Sequence, residues 1–583
     1  MPTTLTAKVT RLLLARGLCA VIATAALLGA TQAASMAPVA AENGMVVTAQ
    51  HLATEVGVDV LRRGGNAVDA AVAVGYALAV VYPAAGNLGG GGFMTLQLAD
   101  GRKTFFDFRE KAPLAATPGM YLDAAGNVIR QASTRGHLAV AVPGTVAGLE
   151  AALAKYGSMR RAELIAPAIR FAEQGFVLEQ GDADMLAAVT AELRIDPATA
   201  AIFLNQGRPW VAGDRLVQRD LAATLRQIAE AGTAGFYKGP VAEALVASSR
   251  AGKGLISQAD LDRYTTRELA PIECDYRGYH IVSAPPPSSG GIVLCEMLNI
   301  LEGYPLKDWG FRSAAGVHVQ IEAMRHAYLD RNHSLGDPDF VVNPVARLID
   351  KAYAAKIRAA IDPQRAALSV DLKAGTPPHE GSNTTHYSIV DAKGNAVAVT
   401  YTLNDWFGAK VTAAGTGVLL NNEMDDFTVK LGTANSYGLV QGEPNTIAPG
   451  KRPLSSMTPT IVSQGGKPVM VLGTPGGSRI ITAVLHTLLN VIDYGMDVQE
   501  AVDAPRFHQQ WMPNPTSVEA FALSPDTRRI LEGMGHVFAS SRSANHMTAI
   551  LIGAPTLGGP PVGGNRFYGA NDPRRNTGLA LGY

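Results

Sequence analysis

Fifteen consecutive residues, Ala67 to Val81, carry one charged side chain, Asp69, and are otherwise Ala, Val, Leu, Gly and Tyr. As a helix this segment has no face suited to water, so it belongs in an interior and the rest of the chain must wrap around it. Asn66 in front supplies an N-cap, and Pro83 behind supplies a stop. The preceding stretch from Ala53 to Arg63 is also helix-periodic and ends at Gly64-Gly65. With 583 residues the chain is long enough to provide the wrapping, as roughly two to four domains or as one large layered body.

Charge narrows the partners. Lys plus Arg and Asp plus Glu number 50 each, so no global field favours nucleic acid or an anionic membrane over a small neutral or zwitterionic ligand. Hydrophobic residues make up 47% and charged residues 17%, the balance of a packed globular protein rather than a disordered one. At the start, Lys8, Arg11 and Arg16 precede an apolar stretch from Leu18 to Leu28, and Thr31-Gln32-Ala33 offers a small-residue cleavage site. That pattern reads as a signal peptide over residues 1–33, too short to remain as a membrane span, and it sends the mature protein to the periplasm or outside the cell. Beyond it only Cys274 and Cys295 remain, which either pair in an oxidising compartment or stay as buried thiols. Neither their number nor their spacing fits a redox motif or a metal site, and no metal or cofactor is expected.

Phe93 to Gln97 and Lys103 to Phe108 read as strands paired around an Asp100-Gly101 turn, which delivers Arg109 to a strand end where it can face a cleft. Just before them, Asn87-Leu88-Gly89-Gly90-Gly91-Gly92 permits close backbone approach or positive φ, for a binding site or only for a tight lead into a strand. It lacks the Gly-Lys-Ser/Thr of a phosphate loop. From about Thr145 to Ala360 most of the sequence is helix-periodic, with breaks at Pro285-Pro286-Pro287-Ser288-Ser289-Gly290-Gly291 and at Asp337-Pro338. Residues 363–382, rich in Pro, Gly, Lys and Asp, have the composition of an exposed linker. Strand-rich sequence starts immediately after it, over Thr384 to about Leu420, Thr460 to Gly473 and Thr548 to Gly553, with a helix from Ile480 to Tyr494. Clustered strands with flanking helices give an α+β body.

Within that region Thr384 to Val390 and Ala396 to Leu403 both alternate, and Asp391-Ala392-Lys393-Gly394-Asn395 forms the turn between them. A loop symmetric about Lys393 sets Thr384 opposite Thr402, with Cβ atoms about 5 Å apart. One face then carries Thr384, His386, Ser388, Ala398, Thr400 and Thr402, and the other Tyr387, Ile389, Val397, Val399, Tyr401 and Leu403. The small polar face either lines a site or looks at water, since Thr is also a favoured strand residue.

Several separate blocks follow in order: Thr384-Thr385-His386-Tyr387-Ser388, Tyr401-Thr402-Leu403-Asn404, Asn421-Asn422-Glu423-Met424-Asp425-Asp426-Phe427, Arg452-Pro453-Leu454-Ser455-Ser456-Met457 and Pro475-Gly476-Gly477-Ser478-Arg479. With Asn66 to Ala71, Asp107 to Glu110 and Pro287 to Gly291 they cover nearly the whole mature chain, and together they resemble γ-glutamyltransferases. The resemblance implies an N-terminal-nucleophile hydrolase fold, a four-layer αββα sandwich made as one precursor. It also implies cleavage between Asn383 and Thr384 into a large subunit, 34–383, and a small subunit, 384–583, that stay together as a heterodimer.

In such an enzyme Thr384 is the nucleophile, activated by the α-amino group that cleavage releases, with an ordinary pKa of about 7.7–8. The resemblance makes Thr402 its hydrogen-bonding neighbour. It assigns Arg109 with Ser455 and Ser456 to the α-carboxylate of a γ-glutamyl donor such as glutathione, and Glu423, Asp426 and Asn404 to the α-ammonium. Backbone N–H groups of Gly476 and Gly477 would meet the oxyanion. Tyr437 lies in a stretch similar to the lid loop of some members. The acyl group would pass to water, or to the amine of an amino acid or dipeptide. Asp405-Trp406 departs from the smaller residues that many relatives carry there, which leaves acceptor preference open. The alternatives are a cephalosporin (glutaryl) acylase, whose motifs are similar, and an unprocessed periplasmic binding protein.

Overall fold

The computed structural model describes residues 35–369, 384–541 and 545–583. The expected signal peptide, Asn383 and most of the expected linker lie outside the described residues. Helix α1 spans His51–Arg62 and helix α2 spans Ala67–Val81. Every residue of α2 is buried, as its composition requires. Its one charge is consumed at the N-terminus: Asp69 and Asn66 form a capping box, and Asp69 also accepts from the backbone N–H groups of Ser158 and Met159.

Two seven-stranded sheets, antiparallel throughout, form the centre. The first runs Leu579–Gly582, Met45–Thr48, Thr384–Val390, Ala396–Thr402, Gly91–Gln97, Lys103–Phe108 and Arg267–Leu269 from edge to edge. The second runs Val39–Ala41, Phe567–Asn571, Thr548–Ile552, Lys467–Gly473, Thr460–Gln464, Tyr279–Ser283 and Ile272–Tyr276. Both sheets mix strands from before and after residue 384. In the first sheet the strand that Thr384 opens pairs on one side with Met45–Thr48 and on the other with Ala396–Thr402.

One face of the hairpin packs on α2. Ile389, Val397 and Val399 join its apolar cluster, and the Tyr387 and Tyr401 hydroxyls donate to the carbonyls of Ala71 (3.1 Å) and Gly75 (3.0 Å). Gly75 has no side chain because an added Cβ would press on the Tyr387 hydroxyl and Leu149. The opposite face meets the second sheet, where Val390, Ala396 and Ala398 pack with Ile461, Val471 and Ile550. The second sheet turns Val462, Met470, Leu472 and Leu551 to helices α3 (Gly290–Leu301), α4 (Ala314–Ser334) and α5 (Arg479–Ile492).

The span expected to be mostly helical contains five strands: the two-residue pair Phe176–Val177 and Arg215–Leu216, and the longer Arg267–Leu269, Ile272–Tyr276 and Tyr279–Ser283. The last two pair through a turn at Arg277 and Gly278, both with positive φ. Runs this short, at sheet edges and between long helices, carry too little alternation to outweigh the surrounding helical period. The cysteines expected either to pair or to remain thiols are joined as a disulfide, Cys274–Cys295, tying an edge strand to α3. The Gly89–Gly92 stretch serves the tight lead into a strand. A Cβ on Gly90 would sit 1.9 Å from the Thr402 carbonyl oxygen, and one on Gly92 would sit 2.4 Å from that of Thr400.

Candidate active site

The hairpin register sets Thr384 opposite Thr402, and their hydroxyl oxygens are 3.2 Å apart. Both residues are buried, yet both line the same small cavity. Below them the polar face continues as bonded pairs. His386 Nδ1 lies 2.7 Å from the Thr400 hydroxyl, and His386 Nε2 lies 3.2 Å from that of Ser388. The His386 ring stacks against Gly473, where a Cβ would come within 2.3 Å of it. Burial pulls the His386 imidazole down to about 3, so it stays neutral. This face therefore looks neither at water nor wholly into a site: it lies between the sheets, and only its Thr384–Thr402 end reaches the cavity.

Asn404 follows with φ 72°, a left-handed turn that Asn tolerates. Its N–H donates to the Thr402 hydroxyl at 2.8 Å, its side-chain amide donates to the Asn422 carbonyl at 3.0 Å, and its Oδ1 accepts from the Tyr437 hydroxyl at 2.7 Å. Tyr437 thus lies across Asn404, and its ring covers the Cα of Gly477 so closely that a Cβ there would be 2.3 Å from it.

Arg109 leaves the Lys103–Phe108 strand at the same cavity, its N–H held by Asp107 at 2.9 Å. Its guanidinium donates to Glu423 and Asp426, and its Nε donates to the Pro453 carbonyl at 3.2 Å. Glu110, wholly buried, stands 3.6 Å from it. Burial opposes the charge on Arg109, but Glu423, Asp426 and Glu110 together hold its pKa above the ordinary range. Three carboxyls around one guanidinium cannot all ionise cheaply. Burial pushes Glu110 up to about 7 against the pull of Arg109, and it pushes Glu423 well up too. Asn421 aims this cluster: its Oδ1 accepts from the N–H groups of Ala141 and Glu423, and its Nδ2 donates to the carbonyls of Gly89 and Ala141.

Ser455 and Ser456 also line the cavity, as does Gly477, whereas Gly476 sits one residue back. Gly476 and Gly477 have φ of 134° and 55° in the turn that enters α5. Of the expected site residues only Asn383 falls outside the described residues.

Besides Asn421 and Glu110, three further participants were not read from the sequence. Arg331, on α4, lines the cavity and is buried. Asp425 anchors the Tyr437 stretch by accepting from the Ser436 N–H at 3.0 Å and the Ser133 hydroxyl at 2.7 Å. Ser289 donates to the Ser455 carbonyl through both its N–H (2.8 Å) and its hydroxyl (2.7 Å). The Pro285 to Gly291 break was a visible signal for Ser289, but Arg331 had none.

A buried pair of threonine hydroxyls beside an arginine–carboxylate cluster, at the end of a seam between two sheets, has the form of an acyl-transfer site. The γ-glutamyltranspeptidase family model matches residues 53–582, and the chain belongs to that family. It is 72% identical over 552 residues to a glutathione hydrolase proenzyme of Pseudomonas sp. (strain A14), covering 94% of this chain and 96% of that protein. To the glutathione hydrolase proenzyme of Escherichia coli (strain K12) it is 49% identical, covering 94% and 93%. Among solved structures, a cephalosporin acylase from Bacillus halodurans matches with a TM-score of 0.80 at 26% identity, covering 95% of this chain and 98% of that one. Helicobacter pylori γ-glutamyltranspeptidase matches with a TM-score of 0.54 at 47% identity, covering 54% of this chain and 91% of that one.

Proposed function

We propose that the protein is an autoprocessing γ-glutamyl transpeptidase and hydrolase, built as a four-layer αββα sandwich and active in the periplasm or outside the cell. The observation that carries this reading is the Thr384–Thr402 hydroxyl contact of 3.2 Å on a cavity shared with Arg109, Glu423 and Asp426. In the precursor the Thr384 hydroxyl attacks the Asn383 carbonyl carbon, the peptide C–N bond breaks, and water hydrolyses the resulting ester to leave Thr384 with a free amine. The pieces 34–383 and 384–583 then remain one heterodimer, because their strands interleave in both sheets.

In catalysis the Thr384 oxygen attacks the γ-carbonyl of glutathione or a related donor, and the amine of Thr384 takes the hydroxyl proton and returns it to the leaving amine. Thr402 orients the hydroxyl. Backbone N–H groups at Gly476 and Gly477 receive the oxyanion, each worth about 2.7–4 kcal/mol. Water or the amine of an amino acid or peptide then takes the acyl group from Thr384. Tyr437 covers the donor as a lid, which favours short donors and excludes bulk water.

Charge exchange favours a zwitterionic head group. The donor carboxylate takes over the Arg109 fork, supported by Ser455 and Ser456, while the displaced Glu423 and Asp426, with Asn404, take the ammonium. A glutaryl donor brings only the carboxylate and would leave the two acids uncompensated in a buried site. Turnover of γ-glutamyl-p-nitroanilide against glutaryl-p-nitroanilide tests this. We expect a preference of at least about 100-fold for the γ-glutamyl compound, as for one lost buried charge pair; a preference for the glutaryl compound would make the protein an acylase.

A further inference from the structure

Two buried guanidiniums face the cavity, and their surroundings are opposite. Arg109 already binds two carboxylates. Among the described residues Arg331 hydrogen-bonds only to neutral acceptors: Nε to the Ser289 hydroxyl (2.9 Å), Nη1 to Asn332 Oδ1 (2.8 Å) and Gln441 Oε1 (3.0 Å), and Nη2 to the Ser456 hydroxyl (3.0 Å). Burial, against the attraction of Tyr328 and Asp426, pulls its pKa down to about 10, which leaves it charged at neutral pH. Asp426 is already bonded to Arg109, and a buried charge with no carboxylate in direct contact among the described residues is costly unless something supplies the opposite charge.

The partners of Arg331 come from separate parts of the site. Ser289 braces the 455–457 segment, together with Ser288, whose hydroxyl donates to the Met457 carbonyl at 2.6 Å. Gln441 belongs to the stretch that carries Tyr437, and its amide donates to the Asp426 carbonyl at 3.0 Å. Because the guanidinium donates to Ser456, that hydroxyl is left free to donate its own proton into the cavity, toward an anion.

We propose that Arg331 is a positioning residue for donor specificity: it turns the Ser456 hydroxyl toward the α-carboxylate of the donor and supplies positive potential there, while Arg109 makes the direct fork contact. This rests on the γ-glutamyl reading of the site. It also gives the Ser288-Ser289 motif a role, as the brace that holds both Arg331 and the serine pair.

The test compares L-γ-glutamyl-p-nitroanilide with 4-aminobutyryl-p-nitroanilide, which keeps the ammonium and lacks the carboxylate. Arg331→Met should lower kcat/KM for the γ-glutamyl donor on the order of 30-fold, mostly through KM, as for the loss of a charged hydrogen-bonding group. The 4-aminobutyryl donor should change by less than about threefold, so the ratio between donors collapses. Should Arg331→Met not fold or process, Ser289→Ala removes one acceptor of the guanidinium and should lower the same ratio about threefold. An unchanged ratio in processed Arg331→Met, or in Ser289→Ala where the first variant is not processed, would overturn the inference. A wild-type protein that turns over no γ-glutamyl donor would instead sink the underlying functional reading, and this inference with it.

Discussion

Both faces of the hairpin from Thr384 to Thr402 are buried, but they are buried by different means. Toward α2 the contacts are apolar, and the two tyrosine hydroxyls find helix carbonyls. Toward the second sheet, hydroxyls and an imidazole bond to one another in a column that ends at the cavity. The first face depends on volume and tolerates little loss of it. The second depends on hydrogen-bond order, since each orphaned hydroxyl costs about 1–3 kcal/mol. Substitutions on one face should therefore damage stability, and those on the other should damage chemistry.

The largest effect is expected at the cavity end. Thr384→Ala should leave an uncleaved precursor without detectable turnover, seen as one full-length band on a denaturing gel; efficient cleavage in that variant would remove Thr384 from processing. Next, Thr402→Val deletes the hydroxyl that faces Thr384 and accepts the Asn404 N–H. It should lower kcat on the order of 100-fold, while Thr402→Ser stays within about fivefold. Equal losses in the two variants would mean that the methyl group matters rather than the hydroxyl.

On the opposite face, Ile389→Ala should cost about 2–5 kcal/mol of unfolding free energy in denaturant titration, with kcat of the folded enzyme nearly unchanged. A large fall in kcat at full stability would break the division between the faces. The smallest effect is a pH dependence. Above pH 6.5 His386 is neutral in both folded and unfolded chains, so its contribution to stability is complete. Between pH 6.5 and about 3 the unfolded chain takes up a proton that the native site refuses, so stability falls as pH falls. His508 and His546, lowered to about 3 and about 4 by burial, act in the same direction. Melting temperature should drop through this interval, and His386→Gln should make the slope shallower by about one proton. An identical slope in that variant would show that His386 titrates normally.

Much of this was legible from local pattern. Alternation on both sides of a symmetric turn was enough to set Thr384 against Thr402, and the register bears it out. The composition of residues 67–81 required an interior helix, and strand pairing brought Arg109 to the cavity edge. What covers the polar face was not legible, because Gly473 and Thr548 reach it from strands far along the chain. Arg331 was hidden for the same reason: on α4 it is one of two arginines, and only tertiary folding brings it to Ser456.

The central claim is that Thr384 becomes an N-terminus. Intact mass and N-terminal sequencing of the purified wild-type protein test it directly. The account predicts two chains, the smaller beginning Thr-Thr-His-Tyr-Ser at Thr384. A single chain that runs through residue 384, or a small chain that begins at any other residue, would contradict it.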